Sequence, residues 1–177
     1  MFAWRLRISM ILPGNAIVID VAITPLPAAQ LHVFEIWSNP EAVAKRFEAA
    51  HGFALPKIGR SSGSEAMRLI RYEPTVWLVE GDTSALTDVL GDDGTLTAIG
   101  GGVVRVRLTG PDWRTLLMEG GVFDVESPNF APDCSAATII NNVAVRLHVI
   151  SENACDAYLP ASYSAALLHF WEMAARN

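Results

Sequence analysis

The sequence has few of the residues that usually reveal a chemistry. Its 177 residues include 2 cysteines and 4 histidines. Cys134 and Cys155 form no CxxC pair and are too few for a secreted disulfide framework, so we expect reduced cytosolic thiols. Charged residues make up only 18% of the chain, whereas average proteins carry about a quarter.

Positive charge is also scarce. The formal net charge is −6 and the pI is about 5.1, with no cluster of Lys and Arg. The sequence therefore lacks the basic footprint of a nucleic-acid-binding protein. We expect no nucleic-acid partner.

No hydrophobic run is long enough to span a membrane. The apolar stretch at residues 8–12 follows Arg5 and Arg7 and is broken by Pro13 and Gly14. No convincing signal-peptide cleavage site follows it. We therefore expect no membrane association and a cytoplasmic location. Residues 1–24 are interpreted as an N-terminal tail or docking segment.

Catalytic and metal-binding motifs are missing. The sequence contains no HExxH or HxH spacing and no GxSxG elbow. The histidines are isolated in sequence and are interpreted as structural or surface residues: His32, His51, His148 and His169. Both cysteines are interpreted as small buried hydrophobes. We therefore predict no catalytic, cofactor-binding or metal-binding residue in this chain.

Apolar residues are abundant, at 51% of the chain. That supplies one sizeable core, or two fused halves that share one. A soluble monomer keeps large apolar patches off its surface, so this composition favours a subunit that buries surface against a partner. Most of the 5 tryptophans should lie in the core, with one or two at an interface.

The first half of the chain reads as strand, helix, hairpin and helix. "LHVFEIW" is rich in strand formers, and Asn39 with Pro40 suits the start of a helix that ends at Gly52. "MRLIRY" and "VWLVEG" predict a hairpin. Asp82 is then predicted to cap a helix that has Leu86, Val89 and Leu90 on one face and ends at Gly91.

The second half repeats that order. "VVRVRL" predicts a strand, "DWRTLLMEGG" a helix, and "VAVRLHVI" with "ACDAYLP" a second hairpin. Ser162 is predicted to cap the closing helix. The matching order of elements indicates an internal duplication, with halves at about residues 25–98 and 99–177.

Several polar or glycine-rich stretches are interpreted as turns and connections and not as binding sites. Gly100-Gly101-Gly102 precede a strand, whereas a dinucleotide-binding fingerprint lies between a strand and a helix. "LGDDGTL" is predicted to be a turn, and "SSGSE" a polar connector. The "NFAP" segment, residues 129–132, is predicted to be an exposed arm that touches a partner.

The second half resembles the gamma subunit of heterotetrameric sarcosine oxidase. That family shows "LSGP", a helix ending in "LAKGC", then "LDLHPRAFPPG" and a closing "PRSFADYLWDWL" helix. This chain has "LTGP", "LLMEGG", "VFDVESPNFAP" and "AYLPASYSAALLHFW" in the same order. The matching positions are Leu108, Gly110, Pro111, Leu116, Leu117, Gly120, Asp124, Pro128, Phe130, Pro132, Tyr158, Pro160, Ser162 and Tyr163.

The resemblance implies an α+β fold related to the folate-binding domain of glycine-cleavage aminomethyltransferase and of YgfZ-type proteins. It implies a non-catalytic subunit with alpha, beta and delta partners. The complex would carry FAD, FMN, NAD, tetrahydrofolate and zinc in those other subunits. It would oxidise sarcosine or a related N-methyl or secondary amine.

The sequence also departs from the family pattern, because "KGC" becomes Glu119-Gly120-Gly121 and the cysteine is lost. A second hypothesis is a stand-alone folate-binding module in one-carbon metabolism. Its candidate ligands for a glutamyl tail are Arg105, Arg107, Asn141 and Asn142. A third hypothesis, a small cysteine–histidine enzyme, remains open because the sequence does not place the cysteines relative to the histidines.

Overall fold

The structure is a computed structural model, and it describes residues 19–176. These residues form two compact units. The N-half unit comprises residues 28–101 and 133–136, and the C-half unit comprises residues 19–27, 102–132 and 137–176. The sequence predicted a tail or docking segment at residues 1–24. Residues 1–18 of that segment lie outside the described residues. Its end at Ala22–Pro25 is a short strand of the C-half unit.

The described residues form both β-strands and α-helices, which confirms the α+β class. The strands are β1 (Ala22–Pro25), β2 (Leu31–Ile36), β3 (Ser61–Gly63), β4 (Met67–Arg71), β5 (Val76–Gly81), β6 (Gly94–Ala98), β7 (Val103–Thr109), β8 (Ser135–Ile140), β9 (Val143–Ser151) and β10 (Ala154–Pro160). The helices are α1 (Pro40–His51), α2 (Leu86–Leu90), α3 (Trp113–Met118) and α4 (Ser164–Ala174). No helix among residues 19–176 is both long and apolar enough to cross a membrane.

The N-half unit contains an antiparallel sheet in the order β3-β4-β5-β2-β6. Alternate residues of β2, β4 and β5 meet the buried faces of α1 and α2 in one core. Phe34 is the centre of that core, because its ring packs edge-on against Phe47 at 6.2 Å and Trp77 at 5.8 Å between centroids. The predicted hairpin of β4 and β5 is confirmed.

Helix α1 begins and ends where the sequence predicts. Pro40 occupies its first turn and Gly52 ends it with φ of 75°, a conformation that glycine adopts without a Cβ clash. Asn39 is the N-cap residue but has φ of 47° and its side chain makes no capping hydrogen bond. That side chain is engaged elsewhere, as described below.

The C-half unit contains a second antiparallel sheet in the order β1-β7-β10-β9-β8. Its buried apolar residues come from alternate positions of β7, β9 and β10 and from one face each of α3 and α4. Asn141 and Asn142 connect β8 to β9 with φ of 47° and 64°. Two successive left-handed residues make the two-residue turn that suits a twisted hairpin.

Several predictions about local structure are wrong. Asp82 does not cap α2, whose N-cap residue is Ala85; its Oδ1 accepts a 2.9 Å hydrogen bond from the Ser84 amide instead. Ser162 does not cap α4, which begins at Ser164 after a single 3-10 turn; no side-chain cap bond forms there. The "SSGSE" connector contains edge strand β3, and "DDGTL" contains a 3-10 turn followed by edge strand β6. Polar or glycine-containing edge strands have one unpaired side, so their composition resembles that of loops.

The "NFAP" segment is not the exposed arm that its proline and asparagine suggest. Phe130 is buried, and its ring packs edge-on against Phe123 with 5.0 Å between centroids. Arg114 Nη2 donates a 2.8 Å hydrogen bond to the Phe130 carbonyl. This loop is therefore anchored within the C-half unit by its aromatic side chain.

Candidate functional site

One face of the C-half sheet carries a row of polar side chains from neighbouring strands. Strand pairing sets Arg107 of β7 opposite Asp156 of β10, and Asp156 opposite His148 of β9. Directly paired residues project to the same side of a sheet. Two of the three side chains in this row, Asp156 and His148, are buried.

Arg107 and Asp156 form a bidentate ion pair. Arg107 Nε donates to Asp156 Oδ1 at 2.7 Å, and Nη2 donates to Oδ2 at 2.8 Å. The carboxylate is almost wholly removed from solvent, whereas the arginine side chain is 38% exposed. A buried carboxylate needs such a partner, because desolvation of an unpaired charge costs several kcal/mol.

A second row lies two residues further along the same face. Arg105 of β7 is opposite Tyr158 of β10, and Tyr158 is opposite Arg146 of β9. Arg105 Nη2 donates a 3.1 Å hydrogen bond to the Pro27 carbonyl. We call these two rows the polar band; its six residues are Arg105, Arg107, Arg146, His148, Asp156 and Tyr158.

The polar band has the chemistry to hold an anionic group, since its three guanidinium groups outnumber its single carboxylate. Arg105 and Arg107, two of the residues predicted for a glutamyl tail, do share one face of β7. Asn141 and Asn142 do not join them as ligands on the strands; they form the hairpin turn. Arg146 joins the band, and its alternation with His148 on β9 is the sequence signal that indicates it.

The two cysteines belong to different units: Cys134 to the N-half unit and Cys155 to the C-half unit. Burial raises the pKa of the Cys155 thiol, and the neighbouring Asp156 carboxylate raises it further. Cys155 therefore stays protonated and unreactive at neutral pH. Cys134 is also buried and free, and Arg60 Nη1 approaches its sulfur at 2.8 Å.

The histidines have separate environments. His51 packs against Phe47 at 4.7 Å between ring centroids, His148 belongs to the polar band, and His169 is exposed on α4. His32 is on β2, opposite Val79 of β5. Among residues 19–176, no group of three or more His, Cys, Asp or Glu residues is arranged to hold a metal ion.

One polar residue of the N-half unit with several hydrogen-bond partners is a residue that the sequence assigned to a simple turn. Asp93 accepts hydrogen bonds from Ser38 Oγ at 2.7 Å, Asn39 Nδ2 at 2.8 Å and Arg46 Nη2 at 2.7 Å. Arg46 foremost, then Ser38 and Asn39, lower the pKa of Asp93 from 3.8 to about 2. The backbone carbonyl of Asp93 also accepts from the amides of Trp37 and Ser38.

Asp93 therefore fixes the segment between β2 and α1, which we call the Trp37 turn (residues 37–39). Trp37 itself is 65% exposed, although its backbone is held by this network. Local sequence patterns do not indicate the network, because Asp93 and its partners lie far apart along the chain. The short "DDG" after a helix is its only local signal.

Comparison with solved structures identifies the fold. A chain of the heterotetrameric sarcosine oxidase from Corynebacterium sp. U-96, solved in complex with pyrrole 2-carboxylate, superposes with a TM-score of 0.76 and 19% identity. The match covers 91% of this chain and 86% of that chain. This chain has the fold of a heterotetrameric sarcosine oxidase chain. The resemblance seen in the sequence is thus confirmed at the level of the fold.

A second solved structure belongs to the other group that the sequence suggested. Glycine cleavage system aminomethyltransferase T from Bartonella henselae superposes with a TM-score of 0.60 and 16% identity. The match covers 85% of this chain but only 45% of that chain, so the fold here corresponds to about half of that enzyme. No protein-family model matches the sequence. No curated protein matches it either.

Proposed function

We propose that this chain is a non-catalytic structural subunit of a flavin-dependent complex resembling heterotetrameric sarcosine oxidase. One observation carries the proposal: the likeness to a chain of that oxidase extends over nearly the whole length of both chains. A match of that extent favours a role as an equivalent subunit over a role as one domain of a larger enzyme. Alpha, beta and delta subunits are the proposed partners.

The surface of the described residues supports a subunit role. Several large apolar side chains are exposed, most of all Val122 at 77% and Trp37 at 65%. Val122 follows Gly121, which forms an isolated antiparallel bridge with Ile140 of β8, and the preceding residue of β8 is the exposed Ile139. Adjacent exposed apolar side chains are typical of surfaces that are covered in an assembly.

In this proposal the redox chemistry belongs to the partners. FAD, FMN, NAD, tetrahydrofolate and zinc would be held by the other subunits, and the complex would demethylate sarcosine or a related secondary amine in the cytoplasm. This chain would cover apolar surface and fix the partners' geometry. The polar band and the Asp93 network would stabilise each unit.

We further propose that the two units arose by internal duplication, at the halves 25–98 and 99–177. The N-half sheet has the order β3-β4-β5-β2-β6, and the C-half sheet read from its other edge has the order β8-β9-β10-β7-β1. In each order, three strands that follow one another along the chain lie beside the strand that precedes the unit's first helix, β2 before α1 or β7 before α3. The edge strand on the other side differs: β6 follows the other strands of its unit along the chain, whereas β1 precedes those of its own unit.

A second candidate function is a stand-alone folate-binding module. The likeness to an aminomethyltransferase and the presence of Arg105, Arg107 and Arg146 on one sheet face favour it. The engagement of Arg107 with Asp156 and of Arg105 with Pro27 weighs against it, because those guanidinium groups already have partners.

Native mass spectrometry of the protein purified gently from its own cells tests the proposal. We expect a yellow complex with larger flavin-bearing chains, and oxidation of sarcosine or a related amine by that complex. A colourless species at the mass of the single chain would contradict the subunit role. Titration of that species with tetrahydrofolate would then test the second candidate.

A further inference from the structure

The Trp37 turn has the properties of a preformed contact site. Trp37 is 65% exposed, whereas Trp77, Trp113 and Trp171 are buried. A large aromatic ring left in water is costly, and exposed tryptophans are strongly enriched among the residues that dominate protein interfaces.

The backbone of this turn is held rigidly. The amides of Trp37 and Ser38 donate to the Asp93 carbonyl at 2.8 and 3.2 Å, and the Ser38 and Asn39 side chains donate to Asp93 Oδ1. Arg46 neutralises the Asp93 carboxylate. An anchor whose backbone is already ordered loses little conformational entropy on binding.

The surroundings of the turn are acidic. Glu41 in the first turn of α1 and Asp92 of the 3-10 turn beside Asp93 are exposed carboxylates. The exposed cations of α1 are Lys45 and Arg46, and Arg46 is already paired with Asp93. A binding surface complementary to Trp37 would therefore offer an apolar pocket with a positively charged rim.

We propose that Trp37 anchors this chain to its larger partner subunit by entering an apolar pocket bordered by Lys or Arg side chains. The inference rests on the proposed function, since the partner is a chain of that complex. It adds the contact residue and the chemistry of the surface that receives it.

The decisive variant is Trp37→Ala, purified from its own cells beside the wild type and the control Ile58→Ala. Ile58 lies in the same unit and is 58% exposed, so its truncation also removes an exposed apolar side chain of that unit. We expect Trp37→Ala to reduce the fraction of chain found in the flavin-bearing complex at least tenfold, with Ile58→Ala close to wild type. Unchanged urea midpoints would confirm that both variants fold.

The charge of the partner is tested separately. The Glu41→Gln/Asp92→Asn double variant should assemble more weakly at low salt, and its assembly should depend less on salt than that of the wild type. In the free chain with Trp4→Phe, quenching of Trp37 fluorescence, expressed for each ion relative to its quenching of free N-acetyltryptophanamide, should be stronger for caesium than for iodide. Stronger quenching by iodide would overturn the assignment of a basic partner surface.

The outcomes separate this inference from the proposed function. Equal assembly of wild type and Trp37→Ala into the flavin-bearing complex would overturn the anchor and leave the function intact. A wild-type chain that forms no such complex would overturn the function and, with it, this partner. Self-association that Trp37→Ala abolishes would assign the surface to a second copy, contradicting the proposed partner.

Discussion

Arg46 of α1 and Asp93 form an ion pair with 2.7 Å between Nη2 and Oδ2. The same guanidinium group donates to the carbonyls of Val89 and Leu90, at the end of α2. Helix ends leave such carbonyls without intrahelical partners. One arginine therefore joins α1, the end of α2 and the 3-10 turn that leads into β6.

Replacing Asp93 with Asn should destabilise the protein, because the replacement removes the negative charge that pairs with Arg46. The neighbouring exposed carboxylate Asp92 is the matched control. We expect Asp93→Asn to lower the urea midpoint clearly more than Asp92→Asn does. Equal midpoints for the two variants would contradict a stabilising role for the ion pair.

The contribution of Asp93 should also depend on pH. Its pKa is lowered from 3.8 to about 2 in the folded chain, so folding favours the ionised carboxylate. The resulting stability is present above about pH 4 and is lost as the pH falls towards 2. The difference in urea midpoint between wild type and Asp93→Asn should shrink across that range. A difference that stays constant from pH 5 to 2 would rule this out.

Two buried tryptophans differ in one hydrogen bond. Trp113 Nε1 donates to the Glu152 carbonyl at 2.9 Å, whereas the buried Trp171 Nε1 has no partner among residues 19–176. Trp113→Phe and Trp171→Phe remove similar volumes from the core, so the cavity terms largely cancel. We expect Trp113→Phe to cost about 1 kcal/mol more in the free energy of unfolding. Urea denaturation of both variants measures the difference, and a larger cost for Trp171→Phe would refute it.

The buried ion pair of the polar band should be asymmetric to mutation. Arg107→Met leaves the Asp156 carboxylate buried without its bidentate partner, and we expect a loss of about 3–5 kcal/mol. The double variant Arg107→Met/Asp156→Leu should lose less than the single Arg107→Met variant, because no charge is then left buried. Chemical denaturation of the wild type, Arg107→Met, Asp156→Leu and the double variant gives the coupling energy. Strict additivity would show that the pair contributes nothing.

Native-state alkylation should be slow at both cysteines. Burial excludes the reagent, and the raised pKa of Cys155 keeps its thiol protonated. We expect iodoacetamide at pH 8 to modify both thiols rapidly in urea and neither in the native chain over the same interval. Mass spectrometry counts the modified thiols. Rapid native modification of Cys155 would contradict its burial.

The elements with strong patterns could be predicted from the sequence, and those at sheet edges could not. The hairpins of β4–β5 and β9–β10 carry long apolar or alternating runs that only a strand accommodates, and α1 has Pro40 and Gly52 at its ends. Strands β3 and β6 are short and polar, so only pairing with a neighbour makes them strands. Propensity does not encode that pairing.

The polar band and the Asp93 network were likewise only partly predictable from the sequence. The sequence indicated Arg105 and Arg107 as charged residues of one strand, because alternation gives their shared face directly. It did not indicate their pairing with β10, or the role of Asp93, because both depend on residues distant in sequence. The exposure of Trp37 was equally hidden, since a tryptophan that ends a strand is usually buried.

The position of β1 affects how the chain folds during its synthesis. β1 precedes the whole N-half unit in the chain, yet its sheet neighbour among residues 19–176 is β7, beginning at Val103. A nascent chain must therefore carry an unpaired strand while the N-half sheet forms behind it. Pairings between distant segments form slowly, and unpaired strand edges invite aggregation. Strand β1 is thus open to such contacts until β7 emerges from the ribosome.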